Sequence, residues 1–161
     1  MLRVEYPLVK LFTAGSGDKA YLSKVKRWIT EYKLQDKVAL GGHLSGQDKA
    51  DALLGSDLFV LPSMNENFGL AIFEALSYGM PVLISKNVYL WEDVVKGGGG
   101  WVCDYSVESF REKLVQILRH NEDIENKKKQ GPIFSKKYAP ESLTDTYRQF
   151  YCNLVRNKSK R

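Results

Sequence analysis

Short apolar runs alternate with amphipathic stretches along most of this chain, and that alternation limits the folds it can reach. Residues 9–14 read as a buried strand, ended by Gly15-Ser16-Gly17. Asp18 is placed to cap a helix over residues 19–32, where Tyr21, Leu22, Val25, Trp28, Ile29 and Tyr32 recur at helical spacing. A second strand covers 38–42, a short helix 48–54, and a third strand 57–61, closed by Pro62. The helix over 68–78 ends at Gly79, a good cap ahead of Pro81. A fourth strand spans 81–85, a helical turn 90–96, and a fifth strand follows the glycines at 97–100. Residues 107–119 form an amphipathic helix, and helical patterns near 122–137 and 140–156 close the chain.

Strands and helices alternating at intervals of roughly 20 residues make βαβ units, hence an α/β fold with a doubly wound parallel sheet. The length suits one domain over residues 1–161. Neither an internal repeat nor a low-complexity linker interrupts it. Such sheets bind ligands beyond the carboxyl ends of their strands. The loops expected there are 15–18, 41–46, 62–68 and 85–90.

Composition narrows the classes further. The net charge of +5 is uneven: residues 1–118 carry a balance of −1 and residues 119–161 one of +6. The basic character sits in Lys127-Lys128-Lys129, Lys136-Lys137 and the ending Arg156 to Arg161. Such a segment suits anionic head groups or a nucleic acid. A solvated helix face and a frayed end are the commoner explanation, and the lysine runs lack the interleaved aromatics of a nucleic-acid site. No nucleic acid is expected as a partner. Cys103 and Cys152 lack metal-ligand spacing and suit free thiols in a cytosolic protein. No run of about 18 apolar residues suggests a membrane span, and residues 1–7 lack the apolar core of a signal peptide. The expected location is the cytoplasm, with the basic tail available for peripheral membrane contact.

The stretch from Pro62 to Val82 carries the chemistry. It sets Glu66 in the loop before a helix and Glu74 inside that helix, among mostly apolar neighbours. Carboxylates at a strand-to-helix junction are placed to hold sugar and ribose hydroxyls, and free N–H groups at the helix start suit a phosphate.

Five segments in order carry a resemblance: Ala14-Gly15-Ser16-Gly17, Val38 to Leu44, Ser56 to Ser63, Glu66-Asn67-Phe68-Gly69 through Glu74-Ala75, and Gly79-Met80-Pro81-Val82. Together they resemble the C-terminal domain of GT-B glycosyltransferases, more narrowly family 4, the "glycosyl transferases group 1" type. The Glu-x7-Glu spacing from Glu66 to Glu74 is the most specific part. The resemblance implies a Rossmann-like donor domain, the C-terminal half of a GT-B fold. It also implies a retaining hexosyltransferase that takes a sugar from a nucleotide diphosphate sugar without a metal or other cofactor.

Residue by residue, the resemblance makes Glu74 the acceptor for ribose hydroxyls; alone, it would be a carboxylate turned outward or paired with a lysine. It places Glu66 against the transferred sugar, near charge developing at the anomeric carbon; alone, Glu66 would simply cap the helix. Asn67, Phe68, Gly69 and Leu70 would offer backbone N–H groups to the sugar and diphosphate, and Ser63, at the same junction, is counted among the donor-binding residues. Gly42, His43 and Leu44 would hold the base through backbone groups, although His43 by itself suits an exposed loop. Gly15 and Gly17 make a tight turn, and Trp91 and Trp101 suit packing better than sugar stacking.

The chain departs from the family pattern at its start. The strand–helix unit that brings an Arg and a Lys-Gly pair to the diphosphate is not found; Arg3 and Lys10 lack its spacing. The acceptor-binding N-terminal domain is also absent from this sequence. The expectation is therefore a donor domain, incomplete here and inactive alone. The rivals are a non-catalytic partner subunit of a full-length transferase, or a membrane or nucleic-acid binder acting through the basic tail.

Overall fold

The computed structural model describes residues 5–120 and 122–158, the last two by backbone alone. Arg3 and the terminal Lys160 and Arg161 lie outside the described residues. The chain divides into two compact units, residues 1–51 and 52–161.

In the first unit, β1 (Leu11–Ala14) pairs in parallel with β2 (Val38–Gly42), Leu11 standing opposite Val38. The crossover between them is α1 (Lys19–Glu31). Asp18 starts that helix: its carboxylate accepts the N–H of Ala20 at 2.9 Å and of Tyr21 at 3.0 Å. It thereby satisfies donors that a helix cannot pair internally. The helix α2 (Gly46–Leu54) follows β2.

One expectation fails here. Residues 9–14 read as a buried strand, but all four residues of β1 are exposed and α1 buries none of its residues. Phe12 is 45% and Trp28 40% accessible. Apolar patterning records that a face can be buried; burial also needs a layer that closes over it, and in the first unit the cover stays partial, with Leu22, Val25 and Ile29 of α1 only half-buried.

In the second unit, β3 (Phe59–Leu61), β4 (Val82–Ser85) and β5 (Gly100–Cys103) form a parallel sheet in that order. The pairing is thus shared between two parallel sheets. The helices are α3 (Leu70–Ser77), α4 (Trp91–Lys96), α5 (Val107–Arg119), α6 (Glu122–Ser135) and α7 (Pro140–Lys158), with a 3-10 turn at Lys136–Tyr138.

β4 is buried along its whole length, as the central strand of a sheet covered on both faces must be. Its side chains alternate between two cores. Val82 and Ile84 join Ile72, Phe73 and Leu76 of α3, with Val94 of α4 and Phe134 of α6. Leu83 joins Cys103 and Ile117, with Trp101 and Phe110 against them. The glycines after α4 permit this packing: a Cβ at Gly97 would lie 2.2 Å from the Phe134 ring, and one at Gly100 2.3 Å from the Val82 carbonyl oxygen. Trp91 and Trp101 both pack against these cores, as expected.

Gly79, with φ of 75°, turns the chain two residues past the end of α3. The Gly79 N–H donates to the Leu76 carbonyl and that of Met80 to the Ala75 carbonyl, each at 3.0 Å. These two bonds satisfy the last carbonyls of the helix and turn the chain into β4.

Candidate donor site

In each unit the sheet topology sets two loops side by side at the carboxyl ends of neighbouring parallel strands. In the first unit these are the turn after β1 and residues 42–46 after β2, joined by the Gly15 N–H donating to the Gly42 carbonyl at 2.6 Å. Gly42 has φ of 67°, His43 is exposed and Leu44 half-buried.

In the second unit the loops after β3 and β4 are stitched together. The Ser85 Oγ donates to the Ser63 carbonyl at 2.5 Å, and the Asn87 Nδ2 to the Met64 carbonyl at 2.7 Å. The Glu66 N–H donates to the Asn87 carbonyl at 3.2 Å, and the Tyr89 N–H to the Glu66 carbonyl at 2.9 Å. Glu66 and Val88 thus form a parallel bridge beyond the end of the regular sheet.

Glu66 is half-buried, and its Oε1 accepts the Gly69 N–H at 3.2 Å. Gly69 precedes the first turn of α3 with φ of 68°. The helix therefore begins at Leu70, two residues later than its apolar pattern indicated. A left-handed residue is a backbone feature that side-chain periodicity does not carry. One of the N–H groups assigned by resemblance to the donor is thus held by Glu66. Glu66 thus closes the turn ahead of α3 through the N–H of Gly69, the residue that precedes the helix and has no side chain to cap it.

Phe68 anchors the loop from below. Its ring lies 5.0 Å from Phe73 and 5.8 Å from Tyr138, in a cluster that also holds Phe134. Burial, together with the charge and hydrogen bond of Asp93, raises the Tyr138 hydroxyl pKa. Glu74 is half-buried on the face of α3 that carries exposed Leu70 and Ala71, away from buried Ile72, Phe73, Ala75 and Leu76. A half-buried carboxylate avoids the desolvation cost that full burial among apolar residues would impose.

A cleft of about 580 Å³ opens beside Glu66. Asn65, Glu66 and Asn67 line one side; Lys86, Asn87, Tyr89, Trp91, Glu92 and Asp93 line the other. Its cation, Lys86, sits 2.7 Å from the Asp104 carboxylate. Amides, carboxylates and aromatic edges are the groups that bind polyhydroxylated ligands. The structure thus gathers Ser63, Glu66, Asn67, Phe68, Gly69 and Leu70 at one loop and helix start, with Glu74 one turn on. Gly42, His43 and Leu44 belong to the other unit. Ser85, the last residue of β4, and Asn87, two residues beyond it, join this site without a motif of their own; their position at the carboxyl end of a parallel strand is the available signal.

The family model described as "Glycosyl transferases group 1" matches residues 2–133. The chain belongs to that family. Mannosylfructose-phosphate synthase of Agrobacterium fabrum is 36% identical over 121 residues, covering 71% of this chain and 27% of that protein. Glycogen synthase of Acholeplasma laidlawii is 28% identical over 170 residues, covering 96% and 34%. This group 1 chain thus spans about a third or less of the length of these two curated relatives. Its fold matches the Rossmann-like C-terminal domain of GT-B glycosyltransferases. Sucrose-phosphate synthase from Thermosynechococcus elongatus superposes with a TM-score of 0.83 at 22% identity, over 95% of this chain and 40% of that one. The Anabaena protein HepE, solved in complex with UDP, gives 0.81 at 20% identity, over 91% and 42%.

Proposed function

We propose that this chain forms the donor side of a retaining glycosyltransferase, which moves a sugar from a nucleotide diphosphate sugar to an acceptor hydroxyl. The observation that carries the reading is the pair of glutamates about one apolar helix start, in a chain whose family is that of glycosyltransferases. Glu74 accepts the ribose hydroxyls. Glu66 faces the transferred sugar, where a carboxylate stabilises positive charge developing at the anomeric carbon. Backbone N–H groups of Asn67, Phe68 and Leu70 meet the sugar and diphosphate at the positive end of α3. By the resemblance, Gly42, His43 and Leu44 of the first unit are the groups assigned to the base, and Ser63 belongs to the donor-binding set of the second unit. On this reading the sugar–phosphate bond breaks, the nucleoside diphosphate leaves and takes up the proton of the acceptor hydroxyl, and the acceptor oxygen bonds the anomeric carbon with retention and without a metal ion. Binding of UDP by HepE supports a nucleoside diphosphate as the ligand class. An acceptor-binding domain is the partner this reading requires.

The rival reading, a nucleic-acid surface, loses ground on the basic runs. Lys127 lies over the Trp101 ring at 4.8 Å, and Lys128 pairs with Glu125 at 2.9 Å. Part of that charge therefore serves the fold of α6. The free thiols of Cys103 and Cys152 suit a cytoplasmic location, and the basic C-terminal segment is the surface offered to anionic membrane head groups. Among the described residues no helix is long and apolar enough to cross a membrane.

A thermal-shift panel of UDP, GDP, their glucose and mannose sugars and an ADP control tests the reading. At least one nucleotide should raise the melting temperature by mass action. No shift from any of them at millimolar concentration overturns donor binding.

A further inference from the structure

Of the four hydrogen bonds that join the loops after β3 and β4, two come from side chains. The buried Ser85 closes the central strand β4 at its carboxyl end and holds Ser63. Asn87 is exposed and reaches across to the Met64 carbonyl at 2.7 Å, two residues before Glu66. Only its amide nitrogen can serve there, because a carbonyl oxygen accepts and does not donate. The Asn87 carbonyl also takes the Glu66 N–H, so one residue grips the loop at Met64 and at Glu66, on the two sides of Asn65. From this clamp the chain runs to the Glu66 carboxylate, which is fixed at its far end by the Gly69 N–H.

Building on the donor reading, we infer that Asn87 is a positioning residue for Glu66. It sets the depth at which the Glu66 carboxylate stands in the cleft and so governs the sugar part of the donor, not the nucleotide part. Asn87 lines the same cleft as Glu66, so direct contact with the sugar is the competing explanation. The two differ in chemistry. Positioning needs the amide N–H on the Met64 carbonyl; contact with sugar hydroxyls is served as well by a carboxylate.

The experiment measures affinities of UDP-glucose and UDP, and of GDP-mannose and GDP, for the full 161-residue chain, Asn87→Ala and Asn87→Asp by titration calorimetry. The sugar-to-nucleotide affinity ratio is the readout, because general loosening of the fold lowers both affinities together. Losing one such hydrogen bond should lower the ratio about tenfold in both variants, with the nucleotide affinity nearly unchanged. An unchanged ratio in Asn87→Ala, a ratio kept by Asn87→Asp, or equal loss of both affinities overturns the positioning role and leaves the donor reading standing. Failure of the unaltered chain to bind any of the four probes removes the donor reading and this inference together.

Discussion

The Glu66 carboxylate accepts the Gly69 N–H at 3.2 Å, so the acid nearest the expected reaction centre also closes the turn that begins α3. Glu66→Gln keeps an oxygen in that place and should leave the denaturation midpoint within a few tenths of its value. Glu66→Ala removes the acceptor and should cost about 1 kcal/mol, the usual net scale of one hydrogen bond. Both variants should weaken sugar-nucleotide binding. Urea denaturation beside calorimetric titration separates the two effects; equal stability of Gln and Ala variants would deny that Glu66 closes the turn.

Gly69 permits that turn. Its φ of 68° lies in the left-handed region, and a Cβ there would meet Ile72 Cδ1 at 2.7 Å. Gly69→Ala should therefore lose about 1–3 kcal/mol of stability through backbone strain and contact with the core. Urea denaturation checks it, and a loss below a few tenths would contradict the strained geometry.

These positions mark where sequence legibility ends. β4 could be read because Val82, Leu83 and Ile84 form a short apolar run between Pro81 and a polar loop, and Asp18 because a cap depends on neighbours in sequence. The exposure of Phe12 could not be read, since periodicity records apolarity and not the presence of a covering layer. The start of α3 was misplaced because Gly69 adopts a conformation its neighbours do not encode. The hold of Ser85 and Asn87 on Ser63 and Met64 joins residues more than 20 apart in sequence, and no local pattern announces it. Glu66 and Glu74 were visible because their spacing is a motif, yet the half-burial of Glu74 depends on how α3 is rotated against β4.

Tyr138 offers a pH test. Burial, then the charge of Asp93 and a hydrogen bond to it, raises its pKa in the folded state. A group raised on folding stabilises fully below its unfolded value, near pH 10, and loses that contribution as pH rises through the folded value. Measured against Tyr138→Phe, the stability of the unaltered chain should be steady up to about pH 9 and fall as pH rises above 10. Denaturation across that range checks this; a relative stability that grows above pH 10 would contradict the assigned direction.

The two thiols should react at very different rates. Cys152 is exposed, whereas Cys103 is buried and its pKa is raised, first by burial and then by the nearby charge of Asp104. Because the thiolate is the reactive form, Cys103 is doubly protected. An aromatic disulfide reagent at pH 8 should label one thiol quickly and the second only after denaturant is added. Two fast thiols in the native chain would contradict the packing of β5 against α5.

Glu74 provides the most direct test of the donor reading. Titration calorimetry should compare the nucleoside diphosphate favoured by the chain, UDP or GDP, with its 2′,3′-dideoxy counterpart, in the unaltered protein and in Glu74→Ala. Removing the ribose hydroxyls should weaken binding to the unaltered chain about tenfold or more, the scale of hydrogen bonds to a charged acceptor, and should change little in Glu74→Ala, where the partner is gone. Equal affinity for the two nucleotides in the unaltered chain, or the same loss in both proteins, would contradict the assignment of Glu74 to the ribose.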